Sequence, residues 1–431
     1  MCCIDLEKSL KYSILYTLKM GINTRDIADI KGHPLIINTY INPNIFNLSL
    51  RKFVYGIDLL FPKVVENIFK IKKNPTSGGV ANLSSLYLEL YKNNSNNFYL
   101  EEAKKHLNYL HNTKIEHSDG YGWGFPFDWY IGPKDFKAKE CNQHYIVKAF
   151  TPIGHTTMTS ANAFLDYFDI SKDSWAIDIV NRCCKFLING LKKTNHKTGS
   201  ISLSYTPIDD REVINTNADI ASLLIRAYEI TNDQIYIDYA VKMIDFVVEN
   251  QNINGSWYYY SYDYFGAESF IDGYHTCMIL SSIDNVATFM KKHDNNKYKV
   301  LCDVLAAGIN YYTKELLIER NEYLLTKDTD KNIYPLNSYS FAQGIYTLSN
   351  LSISLNLEKE TKDKLYILLS KLIYTTFKLM MEKNGEFLTL RFPFLKYKLK
   401  SLRWTQAFMC RALLNYCNLN NIQICFESGE Q

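Results

Sequence analysis

This sequence predicts an all-α fold, an (α/α)6 toroid of six helical hairpins with short β-hairpin loops at its funnel end. Three observations lead there. Apolar residues recur at helical spacing along most of the chain, and strand signals are few. Two kinds of helix alternate, one charged and amphipathic, the other opening on small and polar residues before turning apolar. The second kind returns at a period of about 60 residues, the mark of a repeat architecture.

In order along the chain, residues 1–50 read as an N-terminal helix (5–20) and an extended arm, "GHPLIINTYINPNIF", outside the repeats. Residues 51–425 read as the toroid. Its six small-then-apolar helices open at Gly78, Gly154, Asn215, Asp272, Asn337 and Arg403, with gaps of 76, 61, 57, 65 and 66 residues. The charged helix before each spans roughly 55–71, 98–111, 173–191, 234–251, 296–318 and 360–382. In the fourth, "QIYIDYAVKMIDFVVENQ", apolar residues repeat at helical spacing with charge on one side. Small residues suit a crowded inner ring, and charged faces suit an outer one. Between outer and inner helix lie loops such as "DGYGWGFPFDW", "NINGSWYYYSY" and "KNGEFLTLRF", where a glycine followed by aromatics signals a tight turn or short hairpin. All such loops fall at one end of a toroid. The inner-helix N-termini point there with free N–H groups and positive dipole ends, so that end is where a ligand is expected.

Composition narrows the function classes. The net charge of +3 is spread along the chain and gives no nucleic-acid footprint. Asp5 and Glu7 near the start are unlike a signal peptide, and no apolar run reaches the ~18 residues of a membrane span. The ten cysteines lack paired spacing and read as reduced thiols of a cytoplasmic protein. The 33 tyrosines fit either a ligand groove or a genome rich in A and T.

The candidate site residues lie at inner-helix starts and in the loops before them. Asp272 and His275 share a helix face, so Asp272 either caps the helix or orients His275 for proton transfer. Asp119 and Asp128 flank "GYGWGFPF", where Tyr121, Trp123 and Trp129 offer stacking platforms for a sugar ring; the other reading is a packed loop with Asp128 capping a turn. His155 opens the second inner helix. Asn217 and Asp219 open the third, as caps or ligand groups. Trp257, Asp263, Glu268 and Tyr274 surround the Tyr-rich loop before Asp272. Arg391 and the pair Arg403–Trp404 open the sixth unit, where an arginine suits a carboxylate or phosphate. Cys141-x2-His144 has metal-like spacing but no partner pair, and a zinc site at His275 lacks a credible ligand set. No metal and no cofactor are expected, and there is no G-x-S-x-G, P-loop or dinucleotide fingerprint.

Two resemblances bear on these residues. The six-hairpin arrangement resembles carbohydrate-active toroids: glycoside hydrolases, uronic-acid lyases and sugar epimerases. "GYGWGFPFDW", "NTNADIASLLIRAYEI", "QNINGSWYYY" and "IDGYHTCMIL" are similar to toroids encoded among bacterial surface-polysaccharide genes, over most of residues 75–420. More distantly, Gln251, Gly255 and Trp257 resemble the Q-x3-G-x-W repeat of prenyltransferases and terpene cyclases, and "DGYHTC" is similar to the segment that supplies their zinc histidine, here His275. The helix that would supply the other ligands reads Asn217-Ala218-Asp219-Ile220, with no cysteine at the needed offset.

The expected function is therefore acid/base chemistry on, or binding of, a sugar chain or sugar conjugate in bacterial surface-polysaccharide metabolism. Asp128, His155, Asp272 and His275 are the candidate catalytic groups. A carbohydrate or lipid-linked sugar is the expected ligand, with polysaccharide-biosynthesis enzymes as partners. Two alternatives stand beside it: a protein that handles a polyprenyl chain, and a non-catalytic glycan-binding or scaffold subunit. A Phe- and Leu-lined funnel would favour the prenyl chain, whereas Asn, Asp, His and Arg would favour sugar.

Overall fold

The computed structural model describes residues 5–131 and 145–426; Cys2, Cys3 and the Cys141–His144 pair lie outside them. Helix α1 (Leu6–Met20) is followed by α2 (Pro34–Ile41), α3 (Ile45–Leu60) and α4 (Pro62–Ile68). Long helices then alternate: α5 (Ser77–Asn94), α6 (Asn97–Asn112), α7 (Gly154–Ser171), α8 (Ser174–Gly190), α9 (Ile214–Thr231) and α10 (Gln234–Glu249). After the one-turn α11 (Tyr262–Phe265) come α12 (Gly273–His293), α13 (Asn295–Tyr311), α14 (Ser338–Leu351), α15 (Lys359–Thr375) and α16 (Ala407–Leu419). Helices α5, α7, α9, α12, α14 and α16 form the inner ring. Each packs on the next, and α16 returns to α5, so the ring closes. Helices α6, α8, α10, α13 and α15 each pack outside the inner helix that precedes them.

Burial follows from the two kinds of sequence. In α5 every residue from Ser77 to Leu90 is buried, because neighbours press from both sides and small residues let them approach. In α10 the buried set is Tyr236, Ala240, Met243, Ile244, Phe246 and Val247, one stripe at helical spacing. Inner-to-outer turns are two residues long where a left-handed residue ends the inner helix (Ser95, φ 53°; Lys172, φ 55°; Asn232, φ 57°). The next residue, Asn96, Asp173 or Asp233, accepts a backbone N–H of the outer helix as its cap. The long outer-to-inner connections carry antiparallel pairs: β1 (Ile115–His117) with β2 (Gly120–Gly122), β3 (Trp129–Ile131) with β4 (Tyr145–Val147), β5 (Lys193–Asn195) with β6 (Ile201–Leu203), and β7 (Leu317–Arg320) with β8 (Tyr323–Thr326). Strands β9 (Leu336–Asn337), β10 (Leu390–Arg391) and β11 (Lys396–Tyr397) form a three-stranded sheet in the order β11-β10-β9.

The beginning of the chain departs from the sequence reading. Helix α1, expected outside the ring, packs on α16 and supplies the sixth outer helix, with Leu10 and Ile14 fully buried. Gly385 (φ +87°) lets the last loop meet α1 so closely that a Cβ there would stand 2.6 Å from the Tyr12 carbonyl oxygen. Residues 55–71, expected as an outer helix, instead belong to a separate cap made by α2, α3 and α4 around Ile30, Ile36, Val54 and Val65. An amphipathic pattern shows that one face is buried, but not against which partner. The cap is tied down by buried ion pairs. Arg25 meets Asp29 at 2.7 Å and Asp58 at 2.8 Å, and the Tyr397 hydroxyl donates to Asp58 (2.7 Å).

Candidate active site

Each inner helix turns one stripe to the lumen, and its spacing is that of a helix face. In α7 the stripe is His155, Thr159, Asn162 and Asp166; in α9 it is Asn215, Asp219, Ser222 and Arg226; in α12 it is Tyr274, Met278, Ser281 and Asn285. Asn82 of α5, Gln343 and Tyr346 of α14, and Phe408 and Arg411 of α16 complete the wall of a chamber of about 1050 Å³. His155, Tyr274, Arg403 and Trp404 also line a wider funnel of about 1460 Å³ above it, so the two spaces join. Aromatic side chains from the loops wall the funnel, among them Phe125, Trp129, Tyr205, Tyr259 and Phe270.

Asp272 both caps its helix and meets the His275 ring. Its Oδ1 accepts the His275 backbone N–H (2.8 Å) as a helix cap, and its Oδ2 lies 2.7 Å from His275 Nδ1. A carboxylate there fixes the proton on Nδ1 and leaves Nε2 as the basic nitrogen. The imidazole is enclosed by Tyr259, Phe270 and Tyr274, with ring centroids at 4.7, 5.9 and 4.9 Å.

Two further groups on the lumen have unspent hydrogen-bonding capacity. His155 Nδ1 is buried without a partner. Burial, together with the charges of Arg403 and His275, lowers its pKa to about 3, so its ring is neutral near pH 7. Asp219 accepts from the Ser282 hydroxyl through Oδ1 (2.7 Å), while its buried Oδ2 has no partner. Burial raises its pKa to about 7, against the milder opposing pull of Ser282. The Tyr274 hydroxyl is held well above its ordinary pKa by burial and then by the nearby Asp219.

Other charges on the walls are paired. Arg403 grips Asp26 with two bonds, Nε–Oδ2 at 2.6 Å and Nη2–Oδ1 at 2.8 Å, and lies over the rings of Phe125 and Trp404. Trp404 Nε1 donates to the same Asp26 (3.2 Å). Arg211 pairs with Asp209 at 2.9 Å between Trp129 and Tyr205. On the chamber floor Asp166 meets Arg226 at 3.0 Å and Arg411 at 3.2 Å. Burial opposes the Asp166 charge, but the two guanidinium groups outweigh it and lower the pKa. Of the carboxylates on the walls among the described residues, Asp166 and Asp219, only Asp219 has no cation beside it.

The structure thus gathers His155, Asp219, Asp272, Tyr274, His275, Trp129, Arg403 and Trp404 from the sequence-derived set. The rest it places elsewhere. Asp128 is a turn cap, accepting from the Ala149 N–H (2.8 Å) and Lys148 (2.9 Å). Asp119 is exposed on the β1–β2 turn, where its carbonyl accepts from Arg182, and Tyr121 lies under Lys114 and Arg182. Trp123 is buried, donating Nε1–H to the Leu110 carbonyl (3.0 Å) and stacking on Phe164. Trp257 repeats that role, with Nε1 on the Val247 carbonyl at 2.9 Å. Its motif partner Gln251 ties Gly255 to Val304 of the next outer helix, so the Q-x3-G-x-W pattern here is a ring fastener. Asn217 clamps its hairpin, accepting from the Leu203 N–H (2.7 Å) and donating to the Leu203 and Val213 carbonyls. Asp263 and Glu268 are exposed and outside the funnel lining. Arg391 donates to the Leu379 carbonyl (2.7 Å). Sequence reasoning missed Asp26, Tyr205, Arg211, Asp166, Arg226 and Arg411. The last three carried a signal: each is polar and lies on the lumen stripe of an apolar inner helix.

No family model matches the chain, and the curated proteins include none that is similar to it in sequence. Solved structures do match. The fold is that of sugar-processing toroids. A possible member of the GH105 family from Salmonella enterica aligns over 96% of this chain and 94% of its own, with a TM-score of 0.61 and 13% identity. An unsaturated glucuronyl hydrolase specific for heparin aligns over 97% and 98%, with a TM-score of 0.60 and 12% identity. The cellobiose 2-epimerase from Bacillus thermoamylovorans aligns over 81% and 90%, with a TM-score of 0.58 and 11% identity. At such identities the likeness establishes the (α/α)6 architecture of this chain.

Proposed function

We propose that this protein is a carbohydrate-active enzyme that moves protons on a sugar held in the funnel, in the manner of a lyase or epimerase. One observation carries the reading: a polar lumen walled by aromatics holds an oriented imidazole and a single carboxyl without a cation. Aromatic walls suit the apolar faces of sugar rings, and the Asn, Ser, Thr and Gln stripes suit their hydroxyls. The same stripes count against a polyprenyl ligand, which would require an apolar wall. His275, held by Asp272, serves as the base through Nε2. Asp219, protonated below about pH 7, serves as the acid. Neutral His155 offers a hydrogen bond to the developing charge. Two-carboxylate hydrolysis is disfavoured, because it needs a pair of available acids and the second carboxylate, Asp166, is held by Arg226 and Arg411. The sugar-processing names of the structural neighbours support the substrate class, and the surface-polysaccharide setting rests on the loop and helix segments that resemble proteins of such loci.

The test is proton exchange. A panel of neutral and uronic oligosaccharides is incubated with the protein in D2O and read by NMR for deuterium at ring carbons. Deuterium at a ring carbon (epimerisation) or an unsaturated cleavage product (elimination), formed by the wild type and reduced about 10²–10⁴-fold in His275→Ala, is expected. Cleavage to a saturated product without carbon-bound deuterium, or turnover unaffected by His275→Ala, would overturn the assignment. Binding without any turnover across the panel would instead favour the glycan-binding role.

A further inference from the structure

The cap carries a feature that the sugar chemistry does not use. Helix α3 has two apolar stripes. One, through Val54, faces the cap's own small core. The other runs through Phe46, Leu50, Phe53 and Leu60, spaced as one helix face and exposed. Phe46 is 75% exposed and Phe53 65%. Leu60, and then Phe61 and Ile68 at and beyond the α3–α4 junction, continue the exposed apolar surface. The same stretch is cationic. Between Ile45 and Lys73 stand Arg51 and five lysines against two acids, Asp58 and Glu66. Asp58 is spent on Arg25, and Glu66 pairs with Lys73 (2.6 Å). Lys52, Lys63, Lys70 and Lys72 are exposed, without a carboxylate partner among the described residues.

We propose that the α3–α4 face seats the protein on an anionic membrane surface. Exposed Phe, Leu and Ile beside lysines are the combination that partitions into the headgroup region of such a bilayer, the apolar side chains entering it and the lysines meeting lipid phosphates. A second copy of the chain fits less well, because a two-fold contact would set the same lysines against each other. None of the helices among the described residues is long and apolar enough to cross a membrane, so the seat is on the surface. It also lies beside the funnel. Tyr40 of α2 lines the funnel wall and stacks on Tyr130 (5.0 Å), and its hydroxyl meets that of Tyr55 on α3 (2.9 Å). The proposal stands independently of the sugar reading.

Flotation of the full-length protein tests it, with vesicles of phosphatidylcholine alone or with phosphatidylglycerol added. The wild type is expected to float with the anionic vesicles at least tenfold more than with the neutral ones, and less as salt rises. Phe46→Ser with Phe53→Ser should reduce flotation at least tenfold. Lys63→Glu with Lys70→Glu and Lys72→Glu should remove the preference for anionic lipid. Both sets alter exposed side chains and should leave the unfolding midpoint unchanged, and the charge set keeps the test open should the aromatic pair misfold. Absence of flotation, or flotation indifferent to both sets, would overturn the proposal. So would a dimer in light scattering that the aromatic pair converts to monomer, which would give this face to a second copy.

Discussion

At the residue scale, the environment of Asp219 makes its chemistry a matter of pH. A carboxyl with a folded pKa near 7 binds its proton more tightly in the fold than in the unfolded chain. That contribution is complete below about pH 4 and is lost as pH rises through 7. It is worth up to about 4 kcal/mol across the window. Asp219→Asn keeps the shape and cannot ionise, so its unfolding midpoint should rise relative to wild type between pH 4 and pH 8. Thermal scans at several pH values would check this, and in the same variant any proton-exchange activity should be lost. His155 has the opposite sign: its folded pKa is depressed, so its contribution is present above the unfolded value near 6.5 and falls in acid. The sequence made the Asp272–His275 pair legible because a three-residue separation on a helix fixes a shared face. It could not tell Trp129 from Trp123. Both lie in one irregular loop, where no period says which ring turns to the lumen and which to the core.

At the scale of elements, the outer-to-inner loops divide into fasteners and walls. Trp257 is a fastener, so Trp257→Phe should leave the Val247 carbonyl without its donor and cost about 1–3 kcal/mol in denaturant unfolding, with ligand binding unchanged. The contact between Asp26 and Arg403 is different in kind, because it joins the cap to the sixth inner-helix start at the funnel wall. Asp26→Asn leaves a buried guanidinium with reduced compensation. The expected loss is about 3–5 kcal/mol, with faster proteolysis between residues 21 and 76. Limited digestion read by mass spectrometry would show it. This pairing was illegible in the sequence: the two residues are 377 positions apart, and each sits in a segment that makes equal sense alone. The stripes below the funnel were closer to view. Asp166, Arg226 and Arg411 lie on faces already fixed by the inner-helix starts, and a polar residue there is unexpected unless the face looks onto an open lumen.

At the scale of the whole molecule, the period of about 60 residues carried the architecture, and the structure corrects its starting point. Helix α1 is a ring member, as the burial of Leu10 and Ile14 against α16 requires. Deleting residues 1–20 should therefore expose the apolar flank of α16 and abolish cooperative unfolding by circular dichroism, whereas a dispensable arm would leave the transition intact. Because α1 rests against α16, helices from opposite ends of the sequence meet at a single seam, and the Cys425 backbone N–H reaches Glu7 across it (3.5 Å). A closed ring held by neighbour contacts has no privileged origin. A circular permutant, linked across that seam and opened at the Asn232–Asp233 turn, should regain the same fold. The order of the repeats would then be set by who neighbours whom around the circle, and not by which helix leaves the ribosome first.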